Sequence, residues 1–395
     1  MSEIIVEDNK TNRKPLVDEN IGLLRRFWRG RIWYGTEWYI TVIGGVILVV
    51  MATITILAPW ISPHDPNDFI GAAFTPPGGG IQSVLSRSGE DPLMYAGTLE
   101  GFTIGVQRNK NGMNLVKELE LDWERFQDQG AMITGLLNRE VDLIFIDQEL
   151  VPEIIQTQPE LQVVQDGLGR KYPLGTDNLG RDIVSRLIWG ARTVLGVAIT
   201  SALLSSTIGI SLGLLSGFTA GGLDRVLSLV MDSLYAFPGL LLAIAMATML
   251  GPGLLNVAVA ISVIYIPTFF RVVRGQVLSV KEELYVEAAY SLGAKSWEIL
   301  TRYIFPNVIA SVVVVFSLNV ADAILTEAGL SFIGLGLPPD VPDWGYDLSK
   351  GHQFIVAGRW WMITFPGILI SLVAVGFSLL GEGLSEILNP RLSDN

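Results

Sequence analysis

Residues 38–58 read WYITVIGGVILVVMATITILA, and the chain carries no Asp, Glu, Lys or Arg between Glu37 and Asp65. At about 1.5 Å per helical residue, this run is long enough to cross about 30 Å of hydrocarbon. It starts too late and is too long for a cleaved signal peptide, and Pro59-Trp60 closes it where a small-residue cleavage site would be expected. The run therefore predicts a retained transmembrane helix.

Four further long runs without these charged residues follow along the chain. They lie between Arg192 and Asp224, Asp232 and Arg271, Arg302 and Asp322, and Arg359 and Glu382. The second run is too long for one helix, and Gly251-Pro252-Gly253 near its middle cannot continue one. It is therefore divided there into two spans, the first of which draws extra length from residues 226–230. The sequence predicts six transmembrane helices in all.

The composition fits a bilayer better than it fits a soluble enzyme or a disordered chain. Half of the 395 residues are hydrophobic and only 17% are charged, and the charges are clustered along the chain. The net charge of −12 argues against a nucleic-acid partner, which would require a basic patch. Without cysteine the chain has no disulfide or thiolate metal site, and its two histidines lie far apart. We predict no metal site and no cofactor.

The distribution of basic residues predicts the orientation. Four arginines precede the first span: Arg25, Arg26, Arg29 and Arg31. The positive-inside rule places them and the N-terminus in the cytoplasm, and six spans return the C-terminus to the same side. Residues 271–302, also rich in Lys and Arg, then form a cytoplasmic loop. We predict a multi-pass protein of the cytoplasmic (inner) membrane.

The long segment between the first two spans has the composition of a soluble domain. Residues 62–190 contain nineteen acidic and ten basic residues, a net of −9. Apolar runs predict strands at 103–106, 141–146 and 161–164, and helical patterns fall at 115–129, 131–138 and 151–156. Stretches rich in glycine and proline at 76–80 and 167–173 are interpreted as linkers. We therefore predict a small α/β module inserted into an otherwise all-α membrane protein.

This pattern divides the chain into four parts. Residues 1–37 form a cytoplasmic N-terminal arm, and residues 38–58 form the first transmembrane helix. Residues 59–191 form an extracytoplasmic segment that contains the module at about 78–171. Residues 192–391 form a five-helix core with a cytoplasmic loop at about 271–305.

The predicted cytoplasmic loop carries a candidate docking helix. The chain contains no Gly-Lys dipeptide, so it lacks the phosphate-binding loop G-x-x-x-x-G-K-[ST], and we predict that it does not hydrolyse ATP and is not an enzyme. Residues 283–296 instead predict a short helix that contacts a partner. Adjacent Ala288 and Ala289 would let a partner surface approach closely, Glu287 would offer a charge, and Gly293 would permit the turn into the next helix.

These residues also carry a family resemblance. Glu287-Ala288-Ala289, Gly293 and Ile304-Phe305-Pro306 resemble the EAA loop of ABC-importer permeases, with Phe305 in place of the usual leucine. Further stretches resemble the C-type permease subunit of the dipeptide, oligopeptide and nickel branch: LGTDNLGRD at 174–182, AFPG at 236–239, and residues 329–336, 344–345, 360–361, 380–384 and 389–391. The resemblance covers about residues 20–77 and 172–391. Most members lack or shorten the stretch at about 78–171.

The resemblance implies the fold of a type I ABC-importer permease, which supplies one half of a translocation pore. It also implies a second, related permease subunit, two ATP-binding subunits beneath the EAA loops, and an extracytoplasmic solute-binding protein that delivers peptide. ATP hydrolysis would take place in those partner subunits. The same machinery could move nickel chelates or oligosaccharides, so the cargo stays open at this point.

Two other classes of membrane protein fit the sequence less well. A membrane-anchored receptor would carry a signalling domain inside, yet the predicted N-terminal arm has only about 37 residues. An ion-coupled carrier would show inverted repeats and several charges at mid-membrane. The predicted spans meet neither expectation.

The inserted module has two interpretations. Residues 135–147, an apolar strand ending in Asp147, resemble part of a solute-binding-protein lobe. Alternatively, the module is a spacer or lid, and Asp142 and Asp147 are only solvated. About 90 residues are too few for two lobes that close over a peptide. We therefore expect the module to fold by itself and to dock the binding protein or cap the pore rather than bind cargo.

Two groups of polar residues are candidates for an outer elbow or a gate. Asp177, Arg181 and Asp182 fall in a predicted turn, where Asp182 would cap the next helix. Asp322 and Glu327 fall in the outer half of the fifth span, where burial of an ionisable group is costly. Because Glu327 lies about 30 Å along that span, we expect it to meet headgroups or water. We favour structural pairing or outer gating over contact with substrate.

Overall fold

The computed structural model describes residues 23–90, 99–108 and 110–388. Most of the predicted N-terminal arm, the side chains of its four arginines and the stretch at 389–391 lie outside the described residues. The membrane part contains the helices α1 (Leu23–Ile61), α5 (Ile183–Thr219), α6 (Gly221–Tyr235), α7 (Gly239–Leu250), α8 (Leu254–Lys281), α9 (Leu284–Ser291), α10 (Ser296–Glu298), α11 (Phe305–Phe332), α12 (Trp344–Gln353) and α13 (Trp361–Leu388). A π-helical segment, Ile299–Ile304, joins α10 to α11.

The inserted module lies between α1 and α5 along the chain. It contains the strands β1 (Gln82–Arg87), β2 (Ile104–Gln107), β3 (Trp123–Phe126), β4 (Leu143–Asp147) and β5 (Leu161–Leu168), with the helices α2 (Asn111–Glu118), α3 (Gln129–Leu137) and α4 (Val151–Thr157). The end of the helical bundle that carries this module is called the module end. The opposite end, where α9 lies, is called the distal end.

Five described helices are long and apolar enough to cross a membrane, and the count reaches six when the bent pair α6 and α7 is taken as one span. The six predicted spans are therefore confirmed in number. The third span is not straight, because α6 and α7 meet at 90°. Pro238 lies at the break and cannot donate the backbone hydrogen bond that would continue α6. The prediction identified the break at residues 251–253 but not this one.

The centre of the bundle is the contact between α5 and α8. Gly209, Gly213 and Gly217 recur every four residues along α5 and face α8. A Cβ atom on any of them would lie within 2.5–2.8 Å of atoms of Phe269, Phe270 or Val277. Close packing of small residues is a common way to join helices in a membrane, where burial of apolar surface gives no advantage. The two helices run parallel, so the end of α8 lies at the distal end with the end of α5.

The module is built on one mixed five-stranded sheet with the order β3-β2-β4-β1-β5. β2 pairs in parallel with both β3 and β4, whereas β1 pairs antiparallel with β4 and β5. Two apolar clusters lie on its faces, one around Val84 and Phe145 and the other around Leu85 and Ile144. Neighbouring residues of a strand fall alternately in the two clusters, as expected of strands that are buried on both faces.

Part of the predicted secondary structure of the module is wrong. The expected helix at 115–129 is the shorter helix α2 followed by strand β3, and β1 was not predicted. Strand β3 is a mostly exposed edge strand, WERF, that lacks an apolar alternation. It forms because its backbone pairs with β2 from Ile104 to Gln107, a long-range contact that the local pattern does not reveal.

The predicted linkers are not free spacers. Gly78 N donates to Tyr172 O at 2.8 Å, and Tyr172 N donates to Gly79 O at 2.9 Å, so the two stretches pair with each other. The Tyr172 hydroxyl also donates to Ile70 O at 3.0 Å. Burial raises the pKa of this hydroxyl further above its ordinary value, at which it is already protonated and able to donate at neutral pH. These bonds hold the module against the chain that leads into and out of the membrane.

Candidate functional site

Helix α9 is anchored to the distal end of the bundle by two side chains. Val286 and Ala289 are buried and belong to the apolar cluster that α8 and α11 share, which includes Val277 and Val308. The spacing of three residues places both anchors on one face of the helix. The rest of the helix surface therefore faces away from the bundle.

The exposed face of α9 carries an acidic side chain and large apolar ones. Glu287 and Ala288 are exposed. Leu284 and Leu292 are 81% and 89% exposed, and Trp297 in α10 is 72% exposed. Large apolar side chains that are this exposed at one end of a helical bundle are typical of a surface that a partner covers. The expectation that both alanines face a partner is wrong for Ala289, which packs inside its own chain.

Gly293 ends α9 in the manner that the sequence predicts. Its φ of +84° is in the left-handed region that favours glycine. The amide of Ala294 donates to Ala289 O at 3.0 Å, and the amide of Gly293 donates to Tyr290 O at 2.9 Å, which satisfies carbonyls at the helix C-terminus. A Cβ atom at Gly293 would meet nothing within 4 Å. The glycine is therefore required by the backbone and not by packing.

At the module end, the predicted elbow is a buried and fully connected turn. Asp177 Oδ1 accepts hydrogen bonds from the amides of Leu179 and Arg181 at 2.8 and 2.9 Å. Asp177 Oδ2 pairs with Arg181 Nε at 2.6 Å, and both side chains are nearly inaccessible. The Asp177 side chain therefore holds residues 177–181 in a closed turn.

Asp182 caps α5, as the sequence predicts. Its Oδ2 accepts hydrogen bonds from Ser185 N at 2.9 Å and Ser185 Oγ at 2.6 Å. His64 Nδ1 lies 3.6 Å from the same oxygen. The cap thus joins the start of α5 to the chain that follows α1.

An ion pair that the sequence pattern does not predict lies beside this elbow. Arg186, which is fully buried, binds Asp347 of α12 through Nη2–Oδ1 and Nε–Oδ1 contacts of 2.6 and 2.9 Å. Arg186 Nη1 also donates to Pro66 O at 3.3 Å. Burial raises the pKa of Asp347, and the positive charge of Arg186 opposes that rise. The sequence does offer one signal of a buried ion pair, an arginine within an otherwise apolar helical run. It gives no indication of the partner, because Asp347 lies 161 residues away.

The two carboxylates predicted in the fifth span have different environments. Asp322 is exposed, whereas Glu327 is fully buried, so the expectation that Glu327 meets headgroups or water is wrong. Ser331 Oγ donates to Glu327 Oε1 at 2.9 Å. Asp343, just before α12, is also fully buried, accepts a hydrogen bond from Gly345 N at 2.8 Å and has a pKa raised by burial. The structure brings Glu327 into the packed module end and leaves Asp322 outside it.

A second ion pair joins three helices at the distal end. Arg274 of α8 binds Asp224 of α6 through contacts of 2.6 and 2.8 Å. Ser216 of α5 donates to the same carboxylate at 2.5 Å. In the sequence, Asp224 is visible only as the boundary of an apolar run. The pair fixes the turn between α5 and α6 against α8.

Comparison with known proteins identifies this architecture. Residues 209–394 match a family described as binding-protein-dependent transport system inner membrane component. Residues 40–77 match the N-terminal transmembrane domain of oligopeptide transport permease C. The chain is 39% identical to the glutathione transport system permease protein of Pectobacterium atrosepticum over 292 residues, 73% of this chain and 96% of that protein. The chain belongs to this family of ABC-transporter permeases.

The permease is also 40% identical over 229 residues to the dipeptide transport system permease protein of Alkalihalophilus pseudofirmus, which covers 57% of this chain and 74% of that protein. Among solved structures, it is similar to the inward-facing MetNI methionine ABC transporter, with a TM-score of 0.42 and 17% identity over 52% of this chain and 96% of that chain. The α/β module lies between the two segments that the family models match. The protein is therefore a multi-pass inner-membrane permease with an inserted domain.

Proposed function

We propose that the permease forms one half of the translocation pore of an importer that moves short peptides across the cytoplasmic membrane. The names of its relatives support peptide cargo, since they include glutathione and dipeptide transport proteins. The match of its first span to an oligopeptide permease domain agrees with this cargo. Uptake of nickel chelates or oligosaccharides by the same machinery is the alternative.

The observation that carries the proposal is the geometry of α9. Val286 and Ala289 fix the helix to α8 and α11, while Glu287 and Leu292 are exposed. A helix held in this way transmits a push on its outer face directly to the membrane helices. We infer that an ATP-binding subunit contacts this face, and that Glu287, Ala288 and Gly293 form or shape the contact.

The complete importer then contains a second related permease chain, two ATP-binding subunits and an extracytoplasmic solute-binding protein. ATP binding would bring the two ATPases together and move the docked α9 helices with them. The membrane helices would change from inward-open to outward-open, and the permease itself would carry out no covalent chemistry. The residues around Asp177, Asp182 and Glu327 would hold the module end together during this motion, with Asp322 exposed beside them.

The orientation can be tested with single cysteines, because the natural chain has none. Asn111 is nearly buried and its Oδ1 accepts a hydrogen bond from Ala72 N at 2.7 Å, so it is unsuitable for labelling. A cysteine at the exposed Glu124 should react with a membrane-impermeant reagent from outside, and one at Ser296 only from inside. The reverse pattern would contradict a cytoplasmic distal end.

Purification from the native membrane tests the assembly and its cargo. We expect the permease to retain two ATP-binding subunits and a second permease, and the reconstituted complex with its binding protein to take up labelled dipeptides in an ATP-dependent way. Uptake of nickel chelates or oligosaccharides without peptide uptake would establish the alternative. Purification without any ATP-binding subunit would favour a membrane-anchored receptor.

A further inference from the structure

A cavity of about 250 Å³ lies where the inserted module meets the membrane part. Its walls come from three separate parts of the chain: the segment that follows α1, the ends of strands in the module, and the loop before α13. The lining includes the side chains of Thr75, Lys110, Asn111, Asp147, Glu149 and Arg359. No step of the proposed transport mechanism uses this cavity.

The topology of the sheet places a crevice at the carboxyl ends of β2 and β4, beside this cavity. From β2 the chain passes through α2 to β3 on one side of β2, and then through α3 to β4 on the other side. The connections that leave the carboxyl ends of β2 and β4 therefore diverge. In open α/β sheets, ligands bind in the crevice at such a switch point. Lys110 follows β2 and Asp147 ends β4, so both line the crevice that the topology predicts.

The charges around the cavity are only partly compensated within the protein. Lys110 Nζ lies 3.9 Å from Asp147 Oδ2, the longest lysine or arginine ion pair in the part of the chain that the structure describes. Arg359 stacks over Phe74 and Trp361, with its guanidinium carbon 5.4 and 5.6 Å from the ring centroids. Within the described residues, neither Arg359 nor Glu149 lies within 4 Å of an oppositely charged side chain.

The walls of the cavity are held in place by buried hydrogen bonds. Asn111 Oδ1 accepts from Ala72 N at 2.7 Å, and Asn111 Nδ2 donates to Thr75 Oγ1 at 3.1 Å. Thr75 N donates to Thr176 Oγ1 at 2.9 Å. Since these bonds join the module to the elbow before α5, the cavity exists before any ligand arrives. A preformed site loses less entropy on binding than one that must be assembled.

We propose that this cavity binds a small zwitterion, either a free α-amino acid or a short peptide with free termini. Its two cationic side chains, Lys110 and Arg359, match one carboxylate, and its two anionic side chains, Asp147 and Glu149, match one ammonium group. A ligand with a single charge would leave one of these pairs uncompensated. The volume is below the range of about 300–1,000 Å³ for drug-sized ligands, so it suits a molecule of one or two residues.

The site is composite, because Arg359 and Thr75 lie outside the sheet domain. An isolated module would lack these walls and would not form the site. The ligand is either cargo on its way to the pore or an effector that regulates transport according to its own concentration. The intact permease, alone or in its complex, is therefore the form to test.

Equilibrium dialysis of the purified full-length permease, read by mass spectrometry, tests the site. The probes are the twenty free L-amino acids and a set of alanine-containing dipeptides, each compared with its N-acetyl amide, which lacks both terminal charges. We expect at least one zwitterion to be retained and its blocked form to be lost. Arg359→Gln and Glu149→Gln should each weaken retention at least about tenfold, because each removes a charge-assisted hydrogen bond.

Matched controls separate this effect from a general loss of charge or fold. Arg125→Gln and Glu124→Gln remove the same charges from the exposed edge strand β3 and should leave retention unchanged. Glu149 is exposed, so its variant should melt like the natural protein and keep the test valid if Arg359→Gln misfolds. Retention of no probe, equal retention of blocked compounds, or equal loss in the control variants would overturn the proposal.

Transport by the Glu149→Gln variant in the reconstituted complex distinguishes the two sources of ligand. If the bound zwitterion is cargo, uptake of that same compound falls with its retention. If it is an effector, uptake of cargo keeps its maximal rate but no longer responds to the added zwitterion. Either result is independent of whether peptides prove to be the cargo, because retention is measured without transport.

Discussion

The two ends of the bundle differ in the exposure of the residues that resemble family motifs. At the distal end, Glu287 and Leu292 project from a short helix into open space. At the module end, Asp177, Asp182 and Arg186 are at most 6% exposed and bind groups of their own chain. Both regions carry residues that resemble family motifs, yet only the first leaves them free for a partner. A motif therefore does not show by itself whether its residues act on a partner or on the fold.

The physical distinction is the environment of each charge. A buried charge without a partner costs several kcal/mol, so the loss of a group that pairs with Asp177, Asp182 or Arg186 must weaken the fold. An exposed charge contributes little to stability, so the effect of its removal is expected in the binding of a partner. Four pairs of substitutions test the contrast between the two ends, in order of decreasing expected effect on the fold.

The largest effect is expected from Gly180→Val compared with Gly293→Val. The two glycines have φ values of +81° and +84°, so valine is strained at both. A Cβ atom at Gly180 would lie only 2.1 Å from Gly71 O, whereas one at Gly293 would meet nothing within 4 Å. We expect Gly180→Val to prevent recovery of folded permease, measured by size-exclusion chromatography after extraction. Gly293→Val should be inserted and recovered normally but should abolish transport.

Normal transport by Gly293→Val, with the proposed ATP-binding subunit still bound, would show that the turn after α9 is not part of the proposed docking surface. Normal recovery of Gly180→Val would show that the elbow can move to accept a side chain. Either result would weaken the contrast between the two ends.

The next effect is expected from Arg186→Met. Methionine fills similar space but leaves Asp347, whose side chain is only 14% exposed, without its partner, which should cost about 3–5 kcal/mol of stability. The pKa of Asp347 is already raised by burial, and loss of Arg186 raises it further. The carboxyl group is then neutral at acidic pH and charged as the pH rises. The deficit in melting temperature against the natural protein should therefore be smaller at acidic than at alkaline pH.

Arg192→Met is the control for this prediction, because Arg192 is exposed and lies about 1.7 turns further along the same helix. It should change stability by less than about 0.5 kcal/mol. An equal effect of both substitutions, or a deficit that does not depend on pH, would contradict the role given to the buried pair.

A smaller effect is expected from Ala289→Leu, with Ala288→Leu as its matched partner. Ala289 is buried against α8 and α11, so extra methylene groups should destabilise the permease by about 1–3 kcal/mol. Ala288 is exposed, and its substitution should leave the melting temperature unchanged while reducing the amount of ATP-binding subunit that co-purifies. Equal melting temperatures for the two variants would mean that α9 is not anchored as described.

The smallest effect on the fold is expected from Glu287→Arg. The side chain is exposed and should contribute less than about 0.5 kcal/mol to stability. Reversal of its charge should nevertheless release the ATP-binding subunit in co-purification from the membrane, since like charges would face each other across the contact. Glu282→Arg, which is exposed just before α9, is the control and should retain the subunit. Release by both variants would indicate a general effect of charge.

The sequence determined the features that depend on neighbouring residues. The run at residues 38–58 specified a membrane helix because length and hydrophobicity alone decide whether a segment can span a bilayer. Asp182 was predicted as a helix cap, and its oxygen accepts the Ser185 amide, because capping needs only residues three positions apart. Gly293 was predicted to end the docking helix for the same kind of local reason.

The tertiary structure alone decided which of these residues face a partner and which face the fold. It placed Ala289 inside and Ala288 outside, buried Glu327 near the module end, and paired Arg186 with Asp347 across 161 positions. It also joined the carboxyl ends of β2 and β4 to Arg359 around one cavity. Such arrangements depend on contacts between residues far apart in the chain, and a local pattern of hydrophobicity and charge contains no information about which distant residue becomes the partner.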